Sequence, residues 1–166
     1  TLATLEDGTP VPDELRVHFV GWPRCSEGHD DGIRITVRDE RPYSYYGTDL
    51  AGSPGSMVLN FSFYHWSEFC IFDRGSCVRS VAVHEFGHAL GFSHEQDRTD
   101  VTACDEEPVP APYDLYGGTW DLSSVMNYCN PEWNNGGHLS PQDRRWTRVA
   151  YYPEFYPDLR CEAREP

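Results

Sequence analysis

Residues 84 to 95 read His84-Glu85-Phe86-Gly87-His88-Ala89-Leu90-Gly91-Phe92-Ser93-His94-Glu95, and few folds accommodate that order. His84 and His88 are four apart, so a helix sets both imidazoles on one face, one turn from each other. Two imidazoles placed in this way can reach a single zinc ion at about 2.0–2.1 Å. Glu85 is the next residue round the helix. It sits beside the metal rather than under it, where a carboxylate can act on an activated water instead of serving as a ligand. Gly91 follows His88 by three residues, where glycine commonly ends a helix in the left-handed conformation. The chain can then turn sharply and return His94 as a third ligand. A helix, a stop and a return are all required within this run.

The surrounding sequence supplies the elements for this. Cys77 to Leu90 is expected to be the helix, with Ser76 as its N-cap and Cys77, Val81, His84 and His88 on one stripe. Upstream, Leu15–Val20, Ile33–Arg38 and Met57–Tyr64 alternate and read as strands. Arg41 to Ser56 is rich in turn residues. Ser140-Pro141-Gln142-Asp143 reads as a helix start, with a serine cap, proline at the first position and an acid three after the cap. Trp146, Val149 and Ala150 give that helix an apolar stripe. Residues 1 to 14 are polar, with two prolines, and have no helical apolar period.

The long H-E-x-x-H-x-x-G-x-x-H motif resembles that of the metzincin metallopeptidases. Gly91 to Glu95, with Arg98 and Asp100 following, is most similar to the astacin branch, where a glutamate follows the third histidine. A second motif supports the resemblance: Ser124-Val125-Met126-Asn127-Tyr128 resembles the metzincin Met-turn. Astacins often carry histidine where this chain has Asn127. The resemblance implies an α+β, metzincin-like zincin fold. Its N-terminal lobe (about 1–91) would hold a twisted mixed sheet and the active-site helix. Its irregular C-terminal lobe (about 92–166) would hold the Met-turn and a C-terminal helix, and the whole of 1–166 would be one catalytic domain. It implies a secreted zinc endopeptidase made as a zymogen, with one catalytic Zn2+ on His84, His88 and His94. Met126 would lie beneath the ligands and Tyr128 would be a further, displaceable ligand able to assist catalysis.

Other expectations also come from the resemblance. Glu85 would be the general base, and Glu95 would lie at the base of the site, linked to the mature N-terminus. The strand before the active-site helix, here Met57–Tyr64, would be the sheet edge that pairs with substrate. Cys129 to Leu139 would wall the pocket for the residue after the scissile bond. It holds no arginine, so a neutral or basic residue is expected there. A Cys25–Cys161 disulfide is implied as well. The family's long N-terminal helix has no counterpart in residues 1 to 14.

Composition narrows the classes. The net charge is −14, from 27 acidic and 13 basic residues. No basic patch suggests nucleic acid or an anionic membrane as partner. The charge reads first as solubility, with attraction of basic substrates as the competing view. No apolar run is long enough for a membrane span, and no leader is evident at Thr1. Six cysteines without a C-x-x-C pair suggest disulfides and an oxidising compartment. Closeness in sequence favours Cys70–Cys77 and Cys104–Cys129. Asp30-Asp31 and Asp105-Glu106-Glu107 are candidate Ca2+ ligands, with solvated acids as the plain reading. The expected partner is a protein or peptide substrate, acted on by a monomer. Two other readings stand beside the peptidase: a catalytically degenerate metzincin acting as a secreted binding module, and a zinc hydrolase of non-peptide amides.

Overall fold

The computed structural model describes residues 4–5, 7–13, 16–20, 22, 24, 32–105 and 118–156. His84 and His88 lie on α2 (Arg74–Ala89), the longest helix among the described residues, and His94 follows beyond its end. α2 starts three residues earlier than the sequence suggests. Its N-cap is Asp73, and Ser76 falls inside the first turn. The start is set by α1 (Glu68–Phe72), a short helix absent from the sequence reading. Ser67 caps α1 by accepting from the Cys70 N–H. Asp73 ends α1 and begins α2, and the Cys70–Cys77 disulfide ties the two helices at this corner.

α2 buries one broad face: Cys77, Ser80, Val81, His84, Glu85 and His88 recur at helical spacing and are all buried. It ends as a Schellman motif. Gly91 adopts φ 91°, its N–H donates to the His88 carbonyl, and the Phe92 N–H donates to the Gly87 carbonyl. A residue with a Cβ would be strained at this φ, so the expected stop after His88 has its cause in Gly91.

The sheet has three short strands, β1 (Ile35–Val37), β2 (Tyr43–Ser44) and β3 (Met57–Leu59), in the order β1-β3-β2. β1 pairs with β3 in parallel, Ile35 opposite Met57, and β2 pairs with β3 antiparallel, Tyr43 opposite Val58. This corrects one expectation. β3 is the central strand, hydrogen-bonded on both sides, so it is not the sheet edge; β2 is an edge. Met57, Val58 and Leu59 are all buried, as suits a strand covered on both faces. The strand also stops sooner than the alternation suggests. Buried Asn60 accepts from the N–H groups of Ser62 and Phe63 and donates to Asp39 and Glu40, and Phe63 then takes φ 65°. A local side-chain bond has replaced the ladder.

Residues 16–20 form no strand. Phe19 instead packs edge-on against Phe86 of α2 at 4.7 Å, and the Val17 N–H donates to the hydroxyl of buried Tyr152. The described part of residues 1–14 contains no α-helix, only a bridge between Thr4 and Pro10.

The core lies between the sheet and α2, where Leu50, Met57, Leu59, Phe63, Cys70, Cys77 and Val81 cluster. Trp66 and Trp133 pack against it with ring centroids 5.5 Å apart. Among the described residues between Gly91 and α3 (Pro141–Tyr151), the regular elements are short 3-10 helices at Glu95–Asp97 and Trp133–Gly137; the capping box of α3 is the one the sequence signals. Thr147 and Arg148 are its buried residues, while Trp146 and Val149 are half-buried and Ala150 is exposed. The Cys104–Cys129 disulfide is present. Cys25–Cys161 lies outside the described residues, as do Asp30, Asp31, Glu106 and Glu107. No described helix is long and apolar enough to cross a membrane. The architecture is α+β, consistent with a metzincin-like zincin fold.

Candidate metal centre

His84, His88 and His94 converge. One nitrogen from each lies within 4.8 Å of the others, and the Nε2 atoms of His88 and His94 are 3.1 Å apart. Backbone carbonyls hold the opposite sides of two of the rings. His84 Nδ1 is 2.8 Å from the Val125 oxygen, and His88 Nδ1 is 2.8 Å from the Phe92 oxygen. Each carbonyl can accept only from a protonated Nδ1, which leaves Nε2 as a bare lone pair facing the centre. His94 Nδ1 lies 3.4 Å from Asp97.

The electrostatics favour neutral ligands. Burial first, then the neighbouring histidines, hold His84 well below an ordinary imidazole. His88 is lowered to about 4 by burial and by His94, and His94 to about 4 by burial and by the Arg41 charge. At neutral pH all three are lone-pair donors, which suits Zn2+. His84 Nε2 is buried with no hydrogen-bond partner, an atom that a metal ion would satisfy.

Glu85 is beside this point, not among the ligands. Its Oε2 is also buried without a partner. Burial pushes its pKa up to about 8, against the pull of Arg41. A doubly charged ion on the three imidazoles would draw it back towards an ionised base.

The Tyr128 ring is stacked 5.0 Å from His84 and packs at a tilt 4.6 Å from His94. Its pKa is pushed up to about 12 by burial and the Glu85 charge, and Arg41 opposes the rise. The phenol therefore keeps its proton in the metal-free protein.

The irregular half of the centre is held by polar bonds. Asp143 of α3 accepts from the Ser124 hydroxyl, the Val125 N–H and the Ser140 N–H. The Val125 carbonyl in turn holds His84, so the α3 cap is linked to a ligand through one residue. The Glu95 N–H donates to the Met126 carbonyl, and the Tyr128 N–H donates to the Gln96 side chain. Glu95 Oε1 accepts from the Asp121 N–H and lies 3.6 Å from Arg98 Nε. Burial raises its pKa to about 7. Met126 lies under α2 against Gly87, where a Cβ would collide with its sulfur.

Arg98 and Asp100 form a local bidentate pair at 2.7 and 2.9 Å. His18, His65 and His138 are exposed and stand apart from the centre.

Two residues here carry no sequence signal. Tyr46 packs edge-on to His88 at 4.8 Å, and Arg41 lines the cleft beside Glu85 and Tyr128. Both come from the turn-rich stretch between strands, where nothing in spacing or composition marks them.

No curated protein matches the chain. Among solved structures the chain is similar to the one titled "Structure of myroilysin", at 20% identity and a TM-score of 0.49, covering 72% of each chain. Residues 29–105, somewhat under half of the sequence and including all three histidines, match the matrixin (Peptidase_M10) family model. That match supports a zinc-dependent metallopeptidase of the metzincin kind and does not bear on the astacin branch.

Proposed function

We propose that this protein is a secreted zinc endopeptidase, with astacin-like features, whose residues 1–166 act as one catalytic domain. The observation that carries the proposal is the buried, unpartnered Nε2 of His84, aimed where His88 and His94 also converge and flanked by the unpartnered Oε2 of Glu85. His84, His88 and His94 would hold the ion. When bound, zinc supplies a Lewis acid that polarises a carbonyl and makes water acidic near neutral pH.

The remaining steps belong to the protein. Glu85 takes the proton of the attacking water and passes it to the leaving amine. Tyr128 keeps its proton and is close enough to the ligands to donate a hydrogen bond to the carbonyl oxygen as negative charge develops there. The Glu95 and Tyr128 positions favour the astacin-like branch over a bare three-histidine site. β2 is suited to adding a substrate strand. Two disulfides support an oxidising, extracellular setting. A degenerate binding module would be expected to have lost a ligand or Glu85, and all four are present.

Casein or gelatin cleavage that stops with a chelator and returns with zinc is the expected result. Glu85→Ala should retain one zinc per chain, measured by elemental analysis, and cleave about 10²–10⁴-fold more slowly. Full activity in that variant, or cleavage indifferent to the chelator, would overturn the proposal.

A further inference from the structure

A cavity of about 350 Å³ opens beside His84 and Glu85. Trp66, Trp133, Pro42 and Asn134 form its sides, and Tyr128 faces into it. Trp133 and Asn134 belong to the segment that the sequence assigns to the pocket for the residue after the scissile bond. That segment brings no charge to the cavity. The charge comes from Arg41, reached from the other lobe through the stretch just before β2. The expectation of a neutral or basic residue considered the wall segment alone, and the folded chain adds a cation to it.

We propose that Arg41 recognises a carboxylate of the substrate, carried either by an acidic side chain next to the scissile bond or by the substrate's own C-terminus. The proposal rests on the peptidase reading above.

Three observations lead to this. Arg41 is the cation among the described residues of a cavity otherwise walled by aromatic and neutral groups, apart from Glu85. It lines the same cavity as His84, Glu85 and Tyr128, so it stands at the end where those residues lie. Arg41 hydrogen-bonds the Tyr128 side chain, and no ion pair joins it to a carboxylate among the described residues, so its remaining N–H groups are available to a ligand.

A planar guanidinium offers parallel N–H groups that match a carboxylate in two hydrogen bonds. The indole walls would remove water from that contact as substrate enters, which strengthens it. General attraction cannot give the same preference, because the molecule as a whole carries −14 and repels anions at a distance. A lysine in the cavity would meet the Arg41 charge directly.

The test uses zinc-loaded protein and quenched peptides that differ only at the residue after the scissile bond. One set, amidated at its C-terminus, carries Asp, Asn or Lys there. A second set ends at that residue as alanine, with either a free carboxylate or an amide. The expected result is a kcat/KM about tenfold higher for Asp than for Asn, the lower end of what a hydrogen bond to a charged group contributes. The ratio should fall to near one in Arg41→Ala and turn towards Lys in Arg41→Glu. A preference for the free terminus over its amide, also lost in Arg41→Ala, would place the recognised carboxylate at the chain end. Equal rates within both sets, or a preference that survives Arg41→Ala, overturns the proposal. Should no peptide be cut, the peptidase reading fails, and fluorescence anisotropy with the same peptides still decides the role of Arg41. Tighter binding of the carboxylate peptides that vanishes in Arg41→Ala upholds it, and equal affinities overturn it. Arg41 is exposed, so these replacements leave the core untouched.

Discussion

The two halves of the metal centre are built in different ways. His84 and His88 come from one helix, where regular backbone bonds set their spacing and a disulfide-braced core fixes the axis. His94, Met126 and Tyr128 come from loops, where the backbone supplies no such order. There, buried side chains take over the role of a ladder: Asp143, Glu95 and Gln96 accept from Val125, Asp121 and Tyr128 N–H groups. The helical half can tolerate an interior with little polar content. The loop half needs several buried acceptors, each costly when its partner is lost. Function-bearing loops can be as well placed as a helix, but their placement rests on a few named bonds.

The sharpest way to break this contrast is at Asp143. Asp143→Ala removes an acceptor from the Ser124 hydroxyl and from two N–H groups, including part of the α3 capping box. Unfolding by urea should show a loss of about 3 kcal/mol. Zinc affinity should fall with it, because Val125 also holds His84. A loss well under 1 kcal/mol would show that the loop half does not depend on these bonds.

Gly87→Ala tests the seam between the halves. The new methyl group would meet the Met126 sulfur directly, with its methyl carbon at 3.2 Å. Overpacking of this kind should cost about 2 kcal/mol in thermal unfolding. Pairing it with Met126→Ala should cost less than the two changes added, since one relieves the other. Strict additivity would mean that the Met-turn does not bear on α2.

The smallest effect is a pH slope. Burial raises Glu95 from an ordinary 4.5 to about 7, so the folded metal-free protein holds a proton that the unfolded chain has released. The stability this provides is full below pH 4.5 and is lost as pH rises through about 7. The buried histidines act in the opposite sense, since their folded pKa lies below the ordinary 6.5. They fall silent in both states only about one pH unit above 6.5. From about pH 7 to 8 the metal-free protein should therefore lose stability as pH rises, with contributions from Glu95 and from Glu85 at about 8. Glu95→Gln should flatten that slope, followed by melting temperature against pH. An unchanged slope would show that Glu95 is ionised in the folded protein.

The contrast also explains what could be read from the sequence. Periodicity is a local property, so the four-residue spacing of His84 and His88, the stop at Gly91 and the Ser140–Asp143 cap were all legible. The cysteine pairs close in sequence were legible for the same reason. The short strands were read too long, because Asn60 ends β3 through side-chain bonds that no alternation reveals. Leu15–Val20 alternates like a strand, but within residues 16–20 Phe19 packs on Phe86 and no strand is formed. The Met-turn was visible as a motif, whereas the bonds from Asp143 that hold it were not. The place of β3 at the centre of the sheet also escaped, since strand order depends on pairing partners far along the chain.

Residue type and spacing alone determined that this protein carries a three-imidazole site with an acid beside it. Helical geometry repeats every few residues, and a glycine needs no partner to permit a left-handed turn. What surrounds that site was decided only by tertiary structure. Tyr128 reaches His84 and His94, Asp143 braces Val125, and Arg41 arrives beside Glu85 from the stretch before β2. Each of these contacts joins residues far apart in the chain. They depend on how the sheet, α2 and α3 pack, and packing is a property of the whole molecule.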